Sequence, residues 1–219
     1  MARDSTGEKG QPQYAGSGVP QDAADLTEVA AYAALVGNRK VGTTADRNQA
    51  LADGDVWDGL EWYDTTDGGL YLLQSGSWLP LLTRWTNFSP QYNGMSGGTT
   101  IYSKVRRVLD NAEVRFSWQL GNFPSIGNIS LVPPIPIASW LDDTDYIGTV
   151  ELINVGSSAD DRFIGPVINS NGNALARIPT TTGTAAGSAI NTSATSSSSP
   201  FQWTSGDRIR FTLSYPINI

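Results

Sequence analysis

The sequence predicts a mainly β protein: an N-terminal extended arm and short helix, a small β-meander, and a C-terminal antiparallel, jelly-roll-like β-sandwich. Three observations carry this expectation. Val114-Arg115-Phe116-Ser117-Trp118-Gln119-Leu120 and Ile209-Arg210-Phe211-Thr212-Leu213 alternate apolar and polar residues, the period of a half-buried strand. Such segments recur about every ten residues, parted by Gly, Pro and Asn, the spacing of a two-sheet domain. The 219 residues also include 23 glycines and 12 prolines, which suit a chain rich in turns.

Residues 1–21 read as an extended arm, punctuated by Gly7, Gly10, Pro12, Gly16, Gly18 and Pro20 and without hydrophobic period. Residues 22–40 read as the one helix. Asp22 or Asp25 can cap it, and Asp25 and Glu28 have the spacing of a capping box. Leu26, Val29, Ala30, Ala33 and Val36 share a face, Gly37-Asn38 ends the helix, and Arg39 and Lys40 face its negative end. A helix this short needs a surface to pack on. Leu26, Val29, Ala33 and Val36 are therefore the candidate trimer or anchor contacts, with packing on the chain's own domain as the alternative.

Residues 41–82 read as a β-hairpin or meander unit. Asp67-Gly68-Gly69 separates two aromatic-rich runs and supplies the positive φ angles of a tight turn. Ser75-Gly76-Ser77 makes a second turn that folds Trp78 back towards Trp62 and Tyr63. Residues 83–219 form the sandwich. Its strands are expected at Ile101–Val108, Ala112–Leu120, Ile129–Leu131, Ile147–Val155, Phe163–Ile168, Leu175–Ile178 and Asp207–Tyr215. Gly94 to Gly98 reads as a flexible turn. Thr180 to Ser199, nearly all small and polar, reads as a strand with mobile loops or as a projecting loop.

Composition excludes much chemistry. The chain has no cysteine and no histidine, which removes the commonest general base, metal ligand and strong nucleophile together. No cofactor is expected. Residues 1–82 hold 12 acidic and 5 basic side chains, and residues 83–219 hold 9 of each. An acidic first half argues against nucleic acid as a partner. No apolar run reaches the roughly 18 residues of a membrane helix, and the first residues lack the apolar core of a secretory signal. Cytoplasmic synthesis without membrane insertion is the expectation.

Gly59-Leu60, Tyr63-Asp64-Thr65-Thr66, Tyr71 and Gly76-Ser77-Trp78 together match a hairpin pattern. It resembles a unit that recurs in tail and fibre proteins of tailed bacteriophages. Ser199-Pro200-Phe201-Gln202-Trp203-Thr204-Ser205-Gly206-Asp207, with the alternating strand after it, is similar to the final strands of sandwich domains in phages of actinobacteria. The resemblance covers residues 41–82 and 85–219. It implies a virion protein, homotrimeric, held to other tail or capsid proteins through residues 1–82 and displaying its sandwich. The absence of a coiled-coil or collagen-like shaft favours a short component.

Two functions follow as expectations. The first is a tail-tip or fibre component whose sandwich attaches to a host cell-wall glycan. The second is a capsid decoration or head-fibre protein clamped by its arm. Trp140, Tyr146, Trp203 and Tyr92 fall at or near loops, where aromatic faces stack on sugar rings, and are the candidate glycan contacts. The alternative for each is a place sealing the core. Asp142-Asp143-Thr144-Asp145, with Asp160-Asp161, offers oxygen ligands for calcium, but lacks EF-hand spacing. It reads better as a turn whose carboxylates cap backbone N–H groups. Glu113 and Glu151 fall at outward strand positions and do not suggest the facing carboxylates of a glycosidase. No enzymatic activity is expected.

Overall fold

A computed structural model describes residues 39–156, 161–182 and 189–218, together with positions 5–6, 12–13, 27, 29–31 and 33. The chain divides into two compact units between Arg84 and Trp85. The fold is mainly β and its strand pairings are antiparallel apart from one, as the alternating segments predict.

In the first unit, β1 (Ser5–Thr6) pairs antiparallel with β2 (Pro12–Gln13). Thr27, Val29, Ala30, Ala31 and Ala33 are helical and exposed. Leu26 and Val36 of the expected contact face lie outside the described residues. Arg39 and Lys40 do not finish that helix. They begin β3 (Arg39–Gly42), which runs parallel to β4 (Glu61–Asp64). Parallel neighbours need a crossover, and the crossover contains a helix that the apolar pattern did not announce, α1 (Thr44–Asp53). Its apolar residues, Ala45, Ala50, Leu51 and Ala52, make no helical stripe, so its ends define it. Thr43 accepts from the Asp46 N–H, Asp46 accepts from the Thr43 N–H, and Gly54 closes the helix in the left-handed region. Thr43→Ala should cost about 1 kcal/mol in urea unfolding while Thr43→Ser stays near wild type.

The meander follows: β4, β5 (Gly69–Gln74) and β6 (Ser77–Leu82), each antiparallel to the next. Ser75 and Gly76 both take positive φ and form the two-residue turn between Gln74 and Ser77. Trp78 does fold back onto Trp62, with ring centroids 5.9 Å apart in an edge contact. Tyr63 points the other way and is exposed.

The second unit contains β7 (Thr86–Asn87), β8 (Gln91–Val108), β9 (Asn111–Val132), β10 (Tyr146–Asn154), β11 (Asp161–Ser170), β12 (Asn173–Thr182), β13 (Ala189–Ala194) and β14 (Arg208–Pro216). β9 decides the architecture. Its first half pairs with β14, and near its end Ser130 and Leu131 pair with Leu175 and Ala174 of β12. The order β9-β14-β10-β11-β12 therefore returns to β9 and closes a five-stranded antiparallel ring. β8 runs along the other edge of β9, β7 lies on β8, and β13 extends β12.

Inward positions fill the ring. Val114, Phe116, Trp118 and Leu120 meet Ile209, Phe211, Leu213 and Tyr215 across the β9–β14 pair, all essentially buried. The Phe116 and Phe211 rings lie 6.1 Å apart, and Val150, Leu152, Val167 and Ala176 complete the wall. Gly94 to Gly98 is not a loop but part of β8, carrying two register shifts against β9. Gly94 has φ 70°, and a Cβ there would stand 2.2 Å from the Asn128 carbonyl oxygen. Glycine at this position serves a β-bulge and a close backbone approach, which sequence alone reads as looseness. The Thr/Ser-rich stretch adds β13 and then Thr195, whose buried hydroxyl accepts from the Ile129 N–H and donates to the Gly127 carbonyl, each at 2.8 Å.

Candidate ligand-binding surface

The outward residues of five strands form a grid fixed by strand register. One row runs Tyr102, Ser117, Arg210, Glu151, Ile164; the next runs Lys104, Arg115, Thr212, Thr149, Pro166. Tyr102, Arg115, Thr149, Glu151, Ile164, Arg210 and Thr212 line an open groove of about 430 Å³ on this face.

Charge on this face is unevenly tied. Glu151 accepts from Arg162 at 2.9 Å and from Arg210 at 3.2 Å, so one carboxylate serves two guanidiniums. Arg106 pairs with Glu113 at 2.6 Å and lies over the Trp85 ring at 4.7 Å. Arg115 shares that ring at 5.1 Å. Among the described residues it forms no ion pair, although its place in the grid is central and exposed. Ser117 Oγ and Arg210 Nε are buried atoms without a hydrogen-bond partner in the same row. Both glutamates do face outward, and each is engaged by arginine.

The four aromatic candidates separate by burial. Trp140 is 68% exposed and Tyr146 63% exposed, as a surface contact requires. Trp203 is a correction, and Tyr92 is half-buried. Trp203 is 8% exposed, donates its Nε1–H to the Ser196 carbonyl at 2.9 Å, and packs on Phe201 at 4.5 Å. Tyr92 lies 5.9 Å from Phe116 and 6.0 Å from Trp118, against the core. Trp203 seals the ring because its neighbours, though loop-like in composition, are turned onto it. No family model, curated protein or solved structure matches the chain.

The acidic turn behaves as a set of caps. Asp143 Oδ1 accepts from the Asn171 N–H at 2.7 Å, and Asp145 Oδ2 from the Asp142 N–H at 3.1 Å. Asn169 reaches back with its side-chain amide to the Leu141 and Asp142 carbonyls, both at 3.1 Å. The turn is thereby stitched to the β11–β12 hairpin. Among the described residues no group of three or more acidic side chains is placed to hold a metal; Asp160 lies outside them.

The Tyr63-Asp64-Thr65-Thr66 motif is likewise consumed by its own unit. Asp64 is fully buried. Its carboxylate accepts from Thr44 Oγ1 at 2.7 Å, from the Thr66 N–H at 2.9 Å and from the Asp67 N–H at 3.4 Å. Arg47 Nη1 stands 3.1 Å away, an ion pair set by proximity and not by an aligned N–H. Burial is the strongest influence on Asp64 and opposes its charge. The three hydrogen bonds and the Arg47 charge together outweigh it and hold the carboxyl below its usual range. Arg47 in turn lies 3.7 Å over the Tyr71 ring, and the Tyr71 hydroxyl donates to Asp67. Burial first, and that bond second, push the Tyr71 phenol up.

Proposed function

We propose that this chain is a virion component of a tailed bacteriophage, a short homotrimeric tail-tip or fibre protein whose β-ring domain attaches to carbohydrate on the host surface. The observation that carries the reading is an open groove on an outward sheet face. It joins an aromatic ring and an aliphatic side chain to guanidinium and hydroxyl groups. That combination suits a sugar, which presents an apolar face and a rim of hydroxyls. The resemblance of the Gly59–Trp78 unit to phage tail hairpins supplies the setting. Because its polar residues are spent on its own fold, the resemblance speaks for a scaffold role of that unit and not for a contact role. Trimeric display turns weak single-site contacts into avidity.

Light scattering of the full chain at micromolar concentration, paired with pelleting on isolated bacterial cell envelopes, tests the proposal. The expected result is a trimer that binds envelopes saturably. A chain that binds no envelope but labels virion capsids through a specific antibody would replace attachment by decoration of the head.

A further inference from the structure

We infer that the outward face of the β8-β9-β14-β10-β11 sheet is an anion-binding site, and that its ligand is a sugar or polyol polymer bearing carboxylates or phosphodiesters. This names the ligand class for the attachment role proposed above and rests on that reading. The charge of the face runs against that of the protein. The chain carries a net charge of −7, whereas the grid sets Lys104, Arg106, Arg115, Arg162, Arg208 and Arg210 against only Glu113 and Glu151. An excess of cation gathered on one face of an acidic protein is a focused positive potential.

Three further observations place the anion within that face. Arg115 is exposed, has no ion pair among the described residues, and is held in position by the Trp85 ring. Its planar fork of donors is free for a bidentate oxyanion. In the adjacent row, Arg210 lines the same groove with its side chain 33% exposed, a second guanidinium on the same face. Tyr102 and Ile164, the latter 65% exposed, then offer the apolar flanks on which a ring or polyol chain lies. A nucleic-acid strand fits less well. Tyr102 is the only aromatic residue in the two rows that form the groove, whereas strand binding uses a succession of stacking platforms. A groove of about 430 Å³ lies within the roughly 300–1,000 Å³ of small-ligand sites.

The test uses the full chain and three immobilised polymers: polygalacturonate, poly(glycerol phosphate) and neutral dextran, with oligothymidylate as a fourth probe. At least one anionic polymer should bind and weaken with salt, and dextran should not bind; which anionic polymer binds identifies carboxylate or phosphodiester as the source. Arg115→Ala should lower affinity about ten-fold or more without changing thermal unfolding, and Tyr102→Ala should also weaken it. Arg39→Ala removes the same charge from the first unit and should leave affinity unchanged. Equal losses for Arg39→Ala and Arg115→Ala, equal binding of dextran, tighter binding of oligothymidylate, or binding of neither anionic polymer would each overturn the inference. Envelope binding without polymer binding sinks this inference alone. Polymer binding through Arg115 without envelope binding sinks the host-surface reading and leaves the anion site standing.

Discussion

Replacing Asp64 by alanine should destabilise the first unit by about 3–5 kcal/mol, the cost of removing one partner from a buried ion pair. The substitution leaves Arg47 facing a void and orphans the Thr44 hydroxyl and the Thr66 and Asp67 amides. Asp64→Asn keeps an acceptor for the turn but loses the charge, and should cost clearly less. Hydrogen exchange read peptide by peptide should show the loss of protection within residues 39–82. The same carboxylate makes a pH prediction. Its folded pKa is depressed, so its contribution is complete above the ordinary aspartate range and disappears as pH falls through the folded value. Acidification below about pH 4 should therefore erode the wild-type unit more than the Asp64→Asn variant, whose side chain has no proton to take up. Undiminished protection in Asp64→Ala would show that the turn is held by other means.

Trp118→Ala should cost the second unit about 3–5 kcal/mol, which is a large part of the stability of an ordinary domain. Trp118 is wholly buried on β9, opposite Ile209 on β14 and Thr100 on β8, and beside Tyr92. Gly98 gives its ring the space it occupies, since a Cβ there would come within 2.4 Å of it. A wall this tightly closed cannot collapse into the gap. The indole N–H has no partner, so Trp118→Phe removes an unsatisfied donor together with some volume and should cost much less than alanine. Urea midpoints with an unchanged m-value are the measurement. A Trp118→Ala loss below about 1 kcal/mol would mean that the ring is not closed around this side chain.

Strict alternation made the ring strands legible: Val114 to Leu120 and Ile209 to Leu213 declare both the strand and its inner face. Helix α1 was hidden because it has no apolar stripe; its signals were the Thr43–Asp46 box and Gly54, weaker than the Leu26 to Val36 stripe that drew the helix assignment upstream. Trp203 lies inward although nearby Pro, Gly and Ser suggest a loop, because a single bridge between Ser196 and Ser199 and its own bond to Ser196 turn it onto the core. The groove could not be read at all. Tyr102, Arg115, Glu151, Ile164 and Arg210 come from five strands, and their adjacency is a matter of register between segments far apart in the chain. Closure of the ring through Ser130 and Leu131 on β12 is equally non-local.

The place of β14 bears on how the domain is made. This strand lies between β9 and β10, and its partners on β9 precede it by about 100 positions, a separation that slows folding. The β8–β9 hairpin and the β10-β11-β12 meander can form from near neighbours. Until β14 slots between them, each presents a bare hydrogen-bonding edge and an uncovered apolar face, the features that invite self-association. Refolding yield should therefore fall with protein concentration. A synthetic Asp207–Ile217 peptide added in excess should compete for the gap and trap an open ring.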